Sequence, residues 1–277
     1  MSKSQWISSF LQSLPEFKGK RRVGRAVMSI AGLNQASNLE VKTKRGIFVL
    51  PNLLDMVSID IFINGYYEKG LVDHLVNNIP AKGVFLDIGA NIGSVSIPVA
   101  MLRPDIRIIA VEASPWIFKF LKTNVERNSI SNMTLLNYAV FSESGKTLPM
   151  YAPRDLFGKG SLKSIYTKEA EMVETVTIDA IAKQYNIPVI DYIKVDVEGF
   201  EASVFSGMHE VLSSGKPKII FECSEWAELT AGFSLHEAQS IIISKGYKLQ
   251  ELDHRFQPLA EPVNKLINVK NANLFAS

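Results

Sequence analysis

The chain has 277 residues, 47% hydrophobic and 21% charged, with a formal net charge of +2; this excludes a disordered or collagen-like chain and leaves room for one large domain or two small ones. A single cysteine, Cys223, excludes an internal disulfide or a thiolate zinc cluster, and the four histidines show no metal-ligand spacing. No apolar run approaches the roughly 18–20 residues a membrane-crossing helix needs, and the first residues lack the apolar core of a secretory signal, so a soluble, cytoplasmic protein is expected.

The charge is unevenly placed. Residues 1–45 carry nine Lys/Arg against two acids, whereas the remainder carries 21 against 26. Such a basic arm suits phosphate, an anionic membrane surface or an acidic partner, and its plainer reading is a solvated lead-in. Within it Trp6, Phe10 and Leu14 recur at i, i+4, i+8 with Ile7 and Leu11 beside them, one apolar stripe of a helix. The stripe suits packing on the protein itself or on a twin subunit, which makes a homodimer the expectation; peripheral docking on a membrane is the sharper alternative.

Extended pieces at 39–43 and 46–51 and a helix-like stretch at 71–76 follow, reading as a cap ahead of the main domain. Three parts are therefore expected: a basic helical arm at 1–45, a lead-in at 46–80 and the main domain at 81–277. Strand 84–88, a tight turn and a helix at 94–102 come next, then strand 107–112, a helix at 115–128 with Pro115 suited to its first turn, and strand 133–140. Later strands are predicted at 147–151, 173–177, 191–195 and 218–221, with helices at 178–185, 202–213 and 235–245. Strands that are near-continuous apolar runs alternating with helices predict an α/β fold, a parallel sheet covered on both faces.

In such sheets the ligand sits beyond the carboxyl ends of the strands, and the first strand-turn-helix is its usual cradle. The turn reads Asp87-Ile-Gly-Ala-Asn-Ile-Gly93. It lacks the third glycine of G-x-G-x-x-G, since position 94 is Ser, and no P-loop string occurs. Asp87 at the strand end suits an ammonium group better than a phosphate. Glu112 ends the second strand at the spacing of an acid that holds two ribose hydroxyls. Glycine turn, carboxylate and ribose acid together describe an adenosine ligand carrying an amino acid, and S-adenosylmethionine fits.

Val84-Phe-Leu-Asp-Ile-Gly-Ala-Asn-Ile-Gly93, Glu112-Ala-Ser-Pro115, Gly158-Lys-Gly-Ser-Leu162, Val176-Thr-Ile-Asp179 and Asp191-Tyr-Ile-Lys-Val-Asp-Val-Glu-Gly-Phe-Glu201 followed by Gly207 resemble the FkbM family of methyltransferases. The match runs from about Gly65 to Glu222. The resemblance implies a class I methyltransferase (Rossmann-like) fold, a seven-stranded, mostly parallel sheet with its last strand antiparallel. It also implies transfer of a methyl group from S-adenosylmethionine to a hydroxyl oxygen of a sugar, glycan precursor or natural product. By position, Asp87, Gly89, Asn91 and Gly93 would border the methionine end, Glu112 with Ala113 the ribose, and Ala139 the adenine. Glu68 would reach the methionine portion from the lead-in. Asn91 stands where many methyltransferases have a middle glycine.

Methyl transfer to an alcohol requires an aligned acceptor and removal of its proton. Alternation along 191–198 puts Lys194, Asp196 and Glu198 on one face, with Asp196 expected beside the methyl group and Glu198 or Lys194 on the acceptor. The alternative is a helix cap with Lys194 as the paired charge. Asp196, Glu198 and Glu222 would make an all-oxygen Mg²⁺ site, a sharper variant. Residues 151–163 read as a lid, with Tyr151, Phe157, Lys159 and Trp226 available to a sugar; Lys159, Lys163 and Arg154 would favour an anionic acceptor. His254 is the best outside candidate for touching the acceptor. Two rival readings remain: a non-catalytic cofactor-binding or assembly protein, and a nucleic-acid methyltransferase, against which the base-flipping Asn/Asp-Pro-Pro-Tyr/Phe string is missing.

Overall fold

Ser2 opens the part of the chain described by the computed structural model, residues 2–277, by accepting a hydrogen bond from the Gln5 backbone N–H and capping α1 (Lys3–Ser13). Ile7 and Leu11 are the buried residues of its apolar stripe, and Ser8 Oγ donates to Phe62 O at 2.7 Å. Trp6 and Phe10 instead point outward, stacked with ring centroids 6.1 Å apart. The stripe read from the sequence is thus divided, because α1 rides on α3 (Met56–Asn64) along its Ile7/Leu11 edge. In α2 (Lys20–Ile30), Gly24 and Met28 are buried and Gly24 lets the backbone approach the Ile63 side chain.

A hairpin of β1 (Ser37–Thr43) and β2 (Gly46–Asn52) follows, with Asp55 capping α3 through the Val57 N–H. The lead-in ends with α4 (Lys69–Asn78). The hairpin is fixed to α6 (Pro115–Arg127) and its end by amide side chains: Asn124 Oδ1 accepts from Val49 N and Asn128 Oδ1 from Ile47 N. Apolar side chains of α1, α2, α3, the hairpin and α6 form one cluster, so the basic arm and the lead-in share a core with the main domain.

The main domain alternates as predicted: β3 (Val84–Ile88), α5 (Ser96–Leu102), β4 (Arg107–Val111), α6 and β5 (Met133–Leu136). Then come β6 (Ala139–Val140), β7 (Thr147–Met150), β8 (Glu171–Val176), α7 (Ile178–Gln184) and β9 (Tyr192–Val195). The chain ends with α8 (Glu201–Ser206), α9 (His209–Ser214), β10 (Lys218–Ser224), α10 (Glu225–Ala231), α11 (Glu237–Ser244), β11 (Leu249–Leu252) and β12 (Asn271–Ala276).

Seven strands form one sheet in the order β11-β12-β10-β9-β3-β4-β5. Pairings from β10 to β5 are parallel, and β12 is antiparallel to both neighbours. This is the class I methyltransferase sheet expected from the resemblance, with helices on both faces. Alternate residues serve the two faces: Leu86, Ile88, Ile193 and Val195 pack with α7, α8 and α11, whereas Phe85 and Tyr192 pack with α4 and α5.

Two predicted elements divide. The strand over 133–140 becomes β5 and β6. The helix over 202–213 becomes α8 and α9, broken at Gly207, where a Cβ would collide with Phe141 O. Strands predicted at 147–151 and 173–177 leave the main sheet and build a three-stranded one, β6-β8-β7. The alternating burial of β8, exposed on one face, distinguishes it from strands buried on both.

Candidate active site

Strand order reverses between β3 and β9, and a cavity of about 420 Å³ opens at the carboxyl ends of β3, β4, β9 and β10. Its volume lies within the range of small-molecule and cofactor pockets. The β3-α5 turn reaches this point only because residue 89 is glycine: its φ is +77° and a Cβ would collide with Asp196 O. Asn91 also takes a left-handed conformation, φ 53°, and its Oδ1 accepts from the Ile92 N–H at 2.7 Å, a use of asparagine that a middle glycine would not supply.

Glu112 follows β4 and is buried. Its Oε2 accepts from Asn91 N at 2.9 Å and its Oε1 from Ser114 N at 2.8 Å. These bonds lock the carboxylate against the cavity and leave each oxygen a lone pair for one further donor. Burial pushes the Glu112 carboxyl up to about 7 against those two bonds. Asn137 Nδ2, donating to Glu112 O and Ala113 O, fixes the strand end; Ala113 and Ala139 complete this side of the wall.

On the other side of β3 the groups are ionic. Asp87 and Lys194 are register partners in the β3–β9 pair, on the α4/α5 face. Lys194 Nζ donates to Gly89 O at 2.9 Å and lies 3.5 Å from Asp87 Oδ1 and 3.4 Å from Asp196 Oδ2. Burial alone would lower the lysine pKa, but Asp196, Asp87 and Glu68 raise it above the ordinary lysine value. Lys194 is therefore a permanent cation holding two carboxylates and a carbonyl. Asp87 is fully buried and meets the ammonium group of the chain's own lysine rather than the cavity. Glu68, before α4, does line the cavity, and burial followed by Asp196 pushes it up to about 7.

β9 ends at Val195, so strand alternation does not carry to residue 198; residues 196–199 form a turn in which Glu198 has a φ of 52°. The turn nevertheless brings carboxylate oxygens of Asp196, Glu198 and Glu222 within 4.8 Å of one another. Burial followed by Asp196 pushes Glu198 up to about 7, and burial followed by Asp196 and Glu198 pushes Glu222 up to about 8. The counter-charge is internal: Lys159 Nζ lies 2.7 Å from Glu198 Oε1. A second cluster, Cys223, Glu228 and His236, is buried below, and the Gln239 amide bonds to the Cys223 sulfur and the His236 ring.

Residues 152–170 cross the mouth. Phe157 is buried against Trp116, Gly158 N donates to Asp55 Oδ2 at 2.9 Å, and Ser161 Oγ donates to Glu198 O. Arg154 lies over the Trp116 ring at 4.3 Å. Two of the three cations expected to draw an anionic acceptor are thus already engaged, Arg154 on an aromatic ring and Lys159 on a carboxylate. Tyr166, which lines the cavity, and Trp226 stand at the mouth with centroids 6.3 Å apart.

Of the residues singled out from the sequence, Glu68, Gly89, Asn91, Glu112, Ala113, Ala139, Lys194, Asp196, Glu198 and Glu222 line the cavity. Asp87 and Gly93 stand behind its wall, Asp87 through Lys194 and Gly93 against Ile97 and Leu121. His254 falls in a different depression, beside Tyr192 and Lys218 at the amino ends of β9 and β10. Two residues escaped the sequence reading. Asp55 ties the lid to α3, and Glu201, buried, accepts from Val197 N at 3.0 Å and holds the 196–199 turn. Glu201 was visible only as the last letter of a recognised string, and Asp55 was not singled out, because its helix α3 was not predicted.

Residues 87–249 match the family model described as the methyltransferase FkbM domain, more than half of the chain. The chain belongs to the FkbM methyltransferase family. Among curated proteins, it is 26% identical over 147 residues to the hexuronic acid methyltransferase AglP of Haloferax volcanii, covering 53% of this chain and 59% of AglP. It is 26% identical to the methyltransferase sdnD of Sordaria araneosa, covering 52% of this chain and 68% of sdnD. The chain thus spans between about half and two thirds of the length of these relatives. Among solved structures, the precorrin-6y C5,15-methyltransferase of Geobacter metallireducens aligns at a TM-score of 0.43 and 17% identity, over 76% of this chain and 85% of that one.

Proposed function

We propose that this FkbM-family protein binds S-adenosylmethionine in the cavity and methylates a hydroxyl oxygen of a sugar or natural product. The carrying observation is that one cavity holds two kinds of carboxylate on strands separated by β3. Glu112 is locked by two backbone N–H groups on one side, and the Asp196/Glu198/Glu222 trio stands on the other.

The residues fit the cofactor. Glu112 offers one free lone pair per oxygen, which matches two ribose hydroxyls, and the wall at Ala139 is apolar and small enough for a flat base. Glu68 remains available for the amino-acid end, since Asp87 is spent on Lys194; Asp196, paired with Lys194 but lining the cavity, is left for the methyl side. The bound cofactor supplies an electrophilic methyl group on a sulfonium. Alignment of the acceptor is the work of the 196–199 turn, held by Glu201 from below and by Lys159 and Ser161 from the lid. Glu198 and Glu222, ionising near neutrality, suit acceptance of the hydroxyl proton as the new bond to carbon forms. AglP, named for a hexuronic acid, supports a polyhydroxylated acceptor.

Calorimetric titration with S-adenosylhomocysteine tests the cofactor assignment. Glu112→Ala removes two hydrogen bonds from a charged acceptor and should weaken binding by at least about tenfold, at roughly 1.5–3 kcal/mol per bond. Unchanged affinity removes Glu112 from the site, and absence of binding to the wild type overturns the reading.

A further inference from the structure

Beyond the cavity, a group of exposed large apolar side chains lies on and between α1 and α2. Ile30 is 89% accessible and Trp6 61%, and Phe10, Phe17 and Val23 are exposed with them. Lys3 Nζ donates to Ala31 O at 2.9 Å and Lys20 Nζ to Leu14 O at 3.0 Å, so the two helices lie antiparallel as a hairpin. Ile7, Ser8 and Leu11 on one helix and Gly24 and Met28 on the other bury the inner face. Trp6, Phe10, Val23 and Ile30 are left on the outer face.

The hairpin also carries exposed cations. Lys3, Lys18, Arg22 and Arg25 are exposed and, among the described residues, form no ion pair with a carboxylate, whereas Lys20 and Arg21 are paired with Glu16 and Asp60. We propose that the outer face of the α1/α2 hairpin docks on an anionic lipid bilayer, its aromatic and aliphatic side chains entering the interface and its cations meeting the headgroups. Among the described residues no helix is long and apolar enough to cross a membrane, so attachment is peripheral.

Charge complementarity selects this occupant. A second copy would bring the same unpaired cations face to face. A nucleic acid would use the cations and stack on Trp6, but it gives no place to Val23 and Ile30. The surface is also continuous with the mouth of the cavity: Arg25 Nη2 lies 3.0 Å from Met56 Sδ, and Met56 lines that cavity. Docking therefore brings the opening close to the bilayer.

The test is sedimentation of the full chain with vesicles of phosphatidylcholine, alone or with roughly 30% phosphatidylserine. The protein should pellet with the anionic vesicles only, and less as salt is raised. Arg22→Ala/Arg25→Ala should lower partitioning roughly 25-fold, at about fivefold per cation. Trp6→Ser/Phe10→Ser should lower it at least about tenfold. Both variants should keep the wild-type melting temperature, because the changed side chains are exposed, and Trp6→Ser/Phe10→Ser should also keep the S-adenosylhomocysteine affinity. Pelleting equal to wild type in either variant overturns the proposal, as does no pelleting with anionic vesicles. It is equally overturned by a wild-type dimer that Trp6→Ser/Phe10→Ser dissociates, or by RNA binding that Arg22→Ala/Arg25→Ala abolishes without vesicle binding.

Discussion

Replacing Lys194 by methionine keeps the length of the side chain and removes its charge, which isolates the part the lysine plays between two strands. In the wild type its ammonium group serves Gly89 O at 2.9 Å, Asp87 at 3.5 Å and Asp196 at 3.4 Å. Asp87 is fully buried, so without Lys194 it must either carry an uncompensated charge in the core or take up a proton. Breaking one partner of a buried pair costs about 3–5 kcal/mol, which for a chain of this size corresponds to a fall in melting temperature of roughly 6–20 °C. The cost depends on pH with a determinable sign. Burial already holds the Asp87 carboxyl above its ordinary value, and loss of Lys194 raises it further. A carboxyl whose folded pKa exceeds its unfolded pKa binds more protons in the native state, so stability falls as pH rises between the two values, by about 1.4 kcal/mol per unit. Lys194→Met should therefore be most destabilised at pH 8 and recover toward pH 5. Lys194→Met/Asp87→Asn should regain most of the loss at pH 8, since neither charge then remains. Urea denaturation followed by circular dichroism at both pH values measures this. A deficit below about 1 kcal/mol at pH 8, or one that does not change with pH, refutes the account of Asp87 as a group held by Lys194.

Asp196→Asn should abolish methyl transfer while leaving S-adenosylhomocysteine affinity within about tenfold, as calorimetry and single-turnover assays would show. The pH–rate profile should rise through pH 7–8 as Glu198 and Glu222 lose their protons, and Glu198→Gln, which removes a charge that raises Glu222, should move the remaining limb to lower pH. A profile that is flat across this range would exclude both as proton acceptors. Asp55→Ala removes the α3 cap and the lid tether together; a loss of about 1–2 kcal/mol is expected, with faster proteolytic cleavage within 152–170. Gly89→Ala should eliminate cofactor binding, because a side chain at φ +77° also collides with Asp196 O. Retained binding in that variant would mean that the β3-α5 turn does not have to approach β9.

Much of this architecture is local and was legible in the chain. The apolar run 84–88, its glycine turn, the acid at Glu112 and the alternation through β5 need only near neighbours to be read, since a strand buried on both faces is apolar whatever it pairs with. The cavity-lining Glu112 and the clustered Asp196 and Glu198 came from that layer. What stayed hidden depends on register between strands distant in sequence. Asp87 was expected to await a ligand's ammonium group, but the β3–β9 register sets it beside Lys194, so the ammonium it meets is the chain's own. The β9–β10 register, pairing Val195 with Phe221, brings Glu222 next to Asp196 one step further on. The outward turn of Trp6 and Phe10 was equally undetermined by periodicity, because two adjacent stripes of α1 are apolar and only the surface of α3 decides which is covered. A sequence states which groups are costly to bury or to charge; the pairing of strands and the docking of helices decide which of those groups compensate one another.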